Sequence, residues 1–212
     1  MEPEPLIPAR LVCLASGSGR TVENFYEKIC AGALPASIAL VITSSAKAGI
    51  AERCKRLKIP LLVINPCRYP STQAYADALL GATMEARPDW VILAGWLRLF
   101  PIPSQLEGRV LNIHPALLPA YGGKGYYGHH VHEAVAKDSC THSGCTVHFA
   151  TEEYDAGPIV LQEVVTLPKG STPGEIATLV FEAEKRAYPA ALRALIEETA
   201  YWEDGKVYWG SN

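Results

Sequence analysis

The feature that most constrains the fold is an alternation, over the first hundred residues, between short apolar runs and segments of helical length. The apolar runs lie at 10–16, 36–43, 61–64 and 90–94, and the helical patterns lie at 22–33, 48–57 and 73–86. A short run without polar alternation is typical of a strand buried on both faces, and parallel strands need a helix-length crossover between them. The alternation therefore predicts an α/β fold with a doubly wound, mostly parallel sheet.

The second half of the chain continues this pattern less regularly. We predict strands at 110–113, 145–150 and 159–165, a long amphipathic helix at 172–198, and a hairpin that turns at Asp204 and Gly205. Neither an internal repeat nor a flexible linker divides the chain. The prediction is a single domain over residues 1–212, with an N-terminal half at about 10–108 and a C-terminal half at about 109–212.

Composition excludes several classes of function. The net charge is −3 and no run of Lys or Arg stands out, so we expect no nucleic-acid partner. No apolar stretch reaches the roughly 20 residues of a membrane-spanning helix, so we expect no membrane partner. The start of the chain, MEPEPLIPAR, lacks the basic and apolar regions of a signal peptide, and the six scattered cysteines indicate free thiols. Together these features predict a cytoplasmic protein that acts on small molecules.

A glycine-containing loop follows the first predicted strand. Its sequence is Gly17-Ser18-Gly19-Arg20-Thr21, and a predicted helix begins directly after it. Backbone N–H groups at a helix start attract anions, and the Arg20 guanidinium can bind a phosphate through two hydrogen bonds. The loop matches neither the triphosphate motif nor the dinucleotide motif. We predict a site for one phosphate, and the alternative is a tight turn in which Thr21 caps the helix.

Asn112 and His114 end a predicted strand, in the segment LNIHPALLP. Being two residues apart, their side chains point to the same face of an extended strand. An amide that polarises a carbonyl, beside an imidazole that moves protons, fits acyl-group chemistry. The alternative is a buried histidine that bonds only to the backbone.

All six histidines lie between residues 114 and 148, together with two cysteines. Cys140, His142, Cys145 and His148 offer zinc-ligand types, but their spacing matches no structural zinc finger. The segment SGCTVHF also has the alternation of a strand. We therefore predict no metal site.

An acidic segment, TEEYDAGP, joins two predicted strands at residues 151–158. A carboxylate in this segment could reach His114 and hold its ring in one tautomer. Taken alone, the segment could equally be a solvated turn.

These motifs occur in a characteristic order: the glycine-containing loop, AGWLRLF, NIHPALLP, SGCTVHF and EEYDAGPIVLQ. Together they resemble the folate-dependent formyltransferase family over nearly the whole chain, from about Leu11 to Ala191. The pair formed by NIHPALLP and HF…DAGPIVLQ is highly specific for that family. The segment YGGKGYYGHHVHEAV and the small size are similar to its purine-biosynthesis members.

The resemblance implies roles for individual residues. It assigns catalysis to Asn112, His114 and Asp155. A ribonucleotide substrate would be bound by Gly19, Arg20, Thr21 and Glu184. The pterin pocket would be lined, largely through backbone groups, by Leu97, Arg98, Leu99, Phe100, Asn112, Glu152, Glu153 and Tyr154.

The implied activity is direct transfer of the formyl group of 10-formyltetrahydrofolate to the amine of glycinamide ribonucleotide, without a metal or a covalent nucleophile. The chain departs from the family pattern at Gly19-Arg20-Thr21, where Gly-Ser-Asn is common, and at Thr72, where a basic residue often approaches the folate. Arg68 is close enough in sequence to substitute for that residue.

Three alternatives remain at this level. A formyltetrahydrofolate deformylase would use the same trio with water as acceptor, but it normally carries an added N-terminal regulatory domain. A methionyl-tRNA formyltransferase would normally carry a basic C-terminal domain. A non-catalytic folate- or nucleotide-binding module would need none of the trio. The oligomeric state is predicted as monomer or homodimer.

Overall fold

The computed structural model describes residues 7–210. The chain forms two compact units, Met1–Trp96 and Leu97–Asn212. The boundary lies near the expected division at about residue 108, and the single domain stays a prediction. The predicted absence of a signal peptide concerns residues that lie mostly outside the described part of the chain.

The first unit is a parallel sheet with connecting helices. Its strands lie in the order β3-β2-β1-β4 and all three strand pairs are parallel. The strands are β1 (Ala9–Leu14), β2 (Ala36–Thr43), β3 (Leu61–Val63) and β4 (Trp90–Leu93), and the helices are α1 (Arg20–Cys30), α2 (Gly49–Leu57) and α3 (Thr72–Glu85). The alternation of apolar runs and helices located each of these elements to within a few residues.

Burial explains why β1 occupies the middle of this unit. Its residues Leu11 to Leu14 have no exposed surface, as expected of a strand covered on both faces. The helix α1 contributes Val22 and Phe25 to the core. The first loop therefore leaves the sheet at the carboxyl end of a central strand, where ligands bind in folds of this class.

The second unit is antiparallel. It contains β5 (Val110–His114), β6 (His142–Phe149) and β7 (Ile159–Thr166), in the order β5-β6-β7, with helices α4 (His129–Lys137) and α5 (Pro173–Ile196) and the hairpin β8 (Ala200–Glu203) and β9 (Lys206–Trp209). The α/β class is confirmed. A nine-residue loop joins β6 to β7, and a connection that short can only join antiparallel neighbours.

Two features of the second unit differ from the expectations. The helix α4 was not predicted, because the three histidines in its sequence HHVHEAVAK dominate its polar pattern. On α5, Val180 is buried but Leu179 is 37% exposed, although both were placed on its apolar side. Adjacent residues on a helix are rotated by about 100°, and at this point of α5 that rotation turns Val180 to the core and leaves Leu179 partly exposed.

Within the described residues, no helix is both long and apolar enough to cross a bilayer. All six cysteines are free thiols.

Candidate active site

The strand β5 carries Asn112 and His114 on one side, as their spacing of two residues predicts. In the neighbouring strand β6, His148 lies opposite Asn112 and Thr146 lies opposite His114. Side chains that are directly opposite in an antiparallel pair are close enough to bond. The register therefore brings a second histidine to the predicted pair.

His114 is held at both ring nitrogens. Its Nδ1 lies 3.3 Å from Oδ2 of Asp155, and its Nε2 lies 2.6 Å from the carbonyl oxygen of Tyr121. The side chain is almost completely buried. The predicted approach of an acidic-loop carboxylate to His114 is thus present, and it comes from Asp155.

Asp155 accepts hydrogen bonds at both carboxylate oxygens. Oδ2 accepts from the Gly123 N–H at 2.9 Å, and Oδ1 lies 3.4 Å from Nδ2 of Asn112. Burial raises the pKa of this carboxyl, but the hydrogen bonds from His114 and the Gly123 N–H, together with the nearby His148 ring, outweigh it and hold the pKa well below its usual range. Asp155 is therefore a carboxylate at neutral pH.

His148 has its own fixed tautomer. Its Nδ1 lies 2.8 Å from the carbonyl oxygen of Phe149, which can only accept, so Nδ1 carries a proton. Its Nε2 lies 3.1 Å from Nδ2 of Asn112, whose N–H it can then accept. His148 and Asp155 thus both orient the Asn112 amide.

Thr146 and Gln162 fix the loop that follows His114. The Thr146 hydroxyl donates to the Ala116 carbonyl at 2.7 Å and accepts from the Leu118 N–H at 3.0 Å. The Gln162 amide donates to both Thr146 Oγ1 and the Leu118 carbonyl, each at 2.9 Å. These hydrogen bonds between uncharged groups fix the backbone from Ala116 to Leu118, just before Tyr121.

Sequence reasoning missed His148, Thr146, Gln162 and Tyr121 as members of this cluster. The only signal for the first two was the alternation of SGCTVHF, which places Thr146 and His148 on one face. Their position opposite Asn112 and His114 depends on the strand register, which no local pattern determines.

The first loop in the other unit has the geometry of an uncapped helix start. The residue before α1 is Gly19, with φ of 78°, and no side chain caps the helix. A Cβ on Gly19 would lie 2.3 Å from Cδ1 of Ile50, so only glycine fits here. The alternative in which Thr21 caps the helix is wrong, because Thr21 lies inside its first turn.

The helix α2 braces this loop from one side. The Arg53 Nε–H donates to the Ser18 carbonyl at 2.7 Å, and Ile50 donates its N–H to the Gly17 carbonyl. Arg53 and Arg56 both pair with Glu23 of α1. The N–H groups at the start of α1 are thus held in a fixed direction, which suits an anion.

The remaining predicted residues lie on several elements. Leu97, Arg98 and Leu99 are exposed, whereas Phe100 is buried. Glu152, Glu153 and Tyr154 are exposed in the loop between β6 and β7, and Glu184 is half-buried on α5. Thr72 begins α3, and Arg68 ends the short 3-10 helix Pro66–Arg68 that precedes it.

The possible zinc ligands have other partners. Cys140 lies 3.2 Å from the Tyr121 hydroxyl, His142 bonds to Thr141, and His148 belongs to the cluster around Asp155. Among residues 7–210 no group of three His, Cys, Asp or Glu side chains is arranged to hold a metal ion. The prediction of a metal-free protein stays a prediction.

Two further buried groups of the second unit have strongly shifted pKa values. Burial raises the pKa of the Cys145 thiol to about 12, and the charges of Glu184 and Glu163 add to this effect. Cys145 is therefore a neutral thiol and a poor nucleophile. Burial lowers the pKa of His132 to about 4, with contributions from His129 and His114, so this ring is neutral at pH 7.

Comparison with known proteins gives consistent matches. The formyl transferase family matches residues 9–192. The chain is 38% identical over 200 residues to a chloroplastic phosphoribosylglycinamide formyltransferase of Arabidopsis thaliana, covering 92% of this chain and 68% of the plant protein. It is 30% identical to the phosphoribosylglycinamide formyltransferase of Escherichia coli, covering 92% and 94% of the two chains. The crystal structure of glycinamide ribonucleotide transformylase 1 from Symbiobacterium toebii matches with a TM-score of 0.89 and 32% identity, over 100% of both chains.

Proposed function

Because this chain belongs to the formyl transferase family, we propose that it transfers the formyl group of 10-formyltetrahydrofolate to the amine of glycinamide ribonucleotide, a step of purine biosynthesis. The observation that supports this most directly is the contact of His114 with the ionised carboxylate of Asp155, beside the Asn112 amide. An acid–base group and an amide donor at one strand end are what acyl transfer requires.

In the proposed reaction, the substrate amine attacks the formyl carbon and the formyl oxygen becomes an oxyanion. Asn112 donates an N–H to this oxygen. Its 3.4 Å contact with Asp155 is long for a hydrogen bond, so this N–H can turn to a better acceptor. Its other contact, to His148, keeps the amide pointing into the cluster.

We assign proton transfer to Nε2 of His114. Because Nδ1 faces Asp155, Nε2 is the nitrogen that can exchange a proton with the substrates. The ring takes a proton as the amine adds and gives a proton to the leaving N10. The Asp155 carboxylate stabilises the positive charge that the ring carries between these steps.

Transfer is direct in this proposal. Cys145 is the one thiol on β6, and with a pKa of about 12 it stays protonated at neutral pH. The family resemblance likewise assigns it to packing. No metal takes part, since the Asn112 amide and the His114 ring supply the stabilisation that a Lewis acid would otherwise give.

We propose that the phosphate of the ribonucleotide binds at the start of α1. The N–H groups after Gly19 point along the helix axis, and Arg20 adds a positive charge to the same turn. Glu184 would contact a polar group of the same substrate. The replacement of the common Gly-Ser-Asn by Gly19-Arg20-Thr21 keeps the backbone donors, because these depend on the glycine and not on the residues after it.

The pterin of the folate is assigned to two segments of the second unit. These are Leu97–Phe100, in which Leu97 is 51% exposed and Leu99 is 45% exposed, and Glu152–Tyr154 next to Asp155. Exposed leucines can cover an aromatic ring system, and the backbone groups of both segments can bond to its polar edge. Arg68, rather than Thr72, would be the basic residue that approaches the folate.

The alternatives are separated by one assay. Consumption of 10-formyltetrahydrofolate is measured with and without glycinamide ribonucleotide. The transferase consumes it only with the amine, a deformylase consumes it equally without the amine, and a binding module consumes none. We further propose a cytoplasmic monomer or homodimer without a nucleic-acid or membrane partner, although the Arabidopsis relative is chloroplastic.

A further inference from the structure

Both ring nitrogens of His114 face groups that can only accept hydrogen bonds. Nδ1 faces the Asp155 carboxylate at 3.3 Å and Nε2 faces the Tyr121 carbonyl at 2.6 Å. A neutral imidazole has one N–H and can satisfy one of them, whereas the protonated ring satisfies both. In this structure, therefore, Nε2 of His114, the nitrogen that must exchange a proton with the substrates, contacts the backbone carbonyl of Tyr121 instead.

The Tyr121 carbonyl is held in place by the Tyr121 side chain. Tyr121 has φ of 55°, in the left-handed region that a bulky residue rarely adopts. Its hydroxyl donates to Oδ2 of Asp138 at 2.7 Å and lies 3.2 Å from Sγ of Cys140. Both partners lie just beyond the end of α4, so the phenol ties the loop after β5 to a rigid helix.

From these contacts we infer that Tyr121 is a positioning residue that holds Nε2 of His114 on its own carbonyl until the substrates displace it. The inference rests on the proposed role of His114. The Tyr121 phenol stabilises this capped state, and the capped state competes with productive binding of the formyl donor. The main-chain strain at Tyr121 favours release of the carbonyl once the phenol contacts loosen.

This arrangement has an unusual kinetic consequence. When only a fraction of the protein is competent to bind, the apparent affinity is reduced by that fraction. Weakening the phenol contacts should therefore lower the KM for the formyl donor. The kcat should stay unchanged, because the cap is already displaced in the bound complex. If the Tyr121 side chain merely supported the fold, its alteration would instead raise the KM and lower the kcat.

The test is steady-state kinetics of Tyr121→Phe, which keeps the ring and removes the hydroxyl. We expect the KM for 10-formyltetrahydrofolate, at saturating ribonucleotide, to fall about three- to tenfold, with kcat within about twofold of the wild type. Asp138→Asn weakens the same hydrogen bond from the other side and should lower KM in the same direction. Tyr126→Phe is the matched control, since the Tyr126 ring contacts Tyr121 edge-on and is 41% exposed, and it should leave both parameters unchanged.

The inference would be overturned if the KM were unchanged or raised in both Tyr121→Phe and Asp138→Asn while circular dichroism showed that both proteins are folded. So would a fall in kcat without a fall in KM, because the carbonyl would then support the active arrangement. Failure of the proposed function gives a different result. In that case the wild-type protein itself does not transfer the formyl group, or His114→Ala transfers it normally.

Discussion

At the scale of single residues, one carboxylate organises the candidate active site. Oδ2 of Asp155 contacts His114 and the Gly123 N–H, and Oδ1 contacts Asn112 and His148. Asp155 itself has φ of 56°, a backbone conformation that asparagine and aspartate tolerate better than other side chains. The site is thus a small buried network in which each polar group depends on its neighbours.

Replacing His114 with Ala tests the acid–base role. The kcat should fall by roughly 10²–10⁴, the range for loss of a general acid–base group, while the far-ultraviolet circular dichroism stays that of the wild type. His129→Ala is the control, because His129 is exposed on α4 and forms its ion pair with Glu133 of the same helix. A His114→Ala protein with near-normal kcat would remove this residue from the mechanism.

Replacing Arg20 with Ala tests the phosphate site. A charge-assisted hydrogen bond contributes about 1.5–3 kcal/mol, so the KM for the ribonucleotide should rise roughly 10- to 150-fold. The KM for the folate should barely move, because the folate is assigned to other segments. Lys55→Ala, which removes an exposed charge of α2 in the same unit, should change neither constant.

If both KM values rise in Arg20→Ala, the residue supports the fold rather than the phosphate. If neither rises, the phosphate is bound by backbone N–H groups without Arg20. The dependence of the ribonucleotide KM on salt separates the cases further, because an exposed ionic contact is screened by salt.

At the scale of elements, close backbone approaches position both functional loops. Gly19 allows α1 to begin against Ile50, and Gly157 allows the loop after Asp155 to pass along β6. A Cβ on Gly157 would lie 1.8 Å from the Phe149 carbonyl oxygen. The position of Asp155, two residues earlier, therefore depends on a contact that no other residue permits.

We expect Gly157→Ala to displace this loop. The free energy of unfolding should fall by about 1–3 kcal/mol, the usual cost of forcing atoms into a packed site, and kcat should fall because Asp155 moves from His114. Gly174→Ala is the matched control, since a Cβ there meets no atom within 4 Å. Urea unfolding measures the stability of both variants, and steady-state kinetics measures their kcat. Equal stability of the two variants would contradict the proposed role of Gly157.

At the scale of the whole molecule, the described chain consists of two compact units with different chemistry. The parallel unit contributes a helix start suited to a phosphate, and the antiparallel unit contributes a buried acid–base cluster. Stability and chemistry are linked in the second unit, because the carboxylate that orients His114 is also a buried charge that must stay ionised for the network to form.

Stability should therefore depend on the ionisation of Asp155. Its pKa is lower in the folded protein than in the unfolded chain, where an aspartate has a pKa of about 3.9. Its stabilising contribution is complete above that value and is lost as the pH falls through the folded pKa. The wild type should be more stable than Asp155→Asn at pH 6, and this difference should shrink as the pH falls below about 4. Urea unfolding across this range measures it, and a difference that is constant with pH would contradict the prediction.

The sequence by itself determined the secondary-structure elements and the functional residues that are close together along the chain. Apolar runs and helical periods located the strands and most helices, since these patterns arise from local burial. Asn112 and His114 could be paired because they are two residues apart on one strand, and their motif carried the family resemblance. The helix start after Gly19 could be predicted for the same reason, because the glycine and the helix are adjacent in sequence.

Only the tertiary structure decided what surrounds those residues. The register of β5 and β6 brings His148 to Asn112 from 36 residues away. The left-handed backbone of Tyr121 turns its carbonyl onto His114, and the fold of the loop after β6 brings Asp155 within 3.3 Å of the same ring. Register and loop conformation depend on the packing of distant segments, so no local pattern in the chain could specify these contacts.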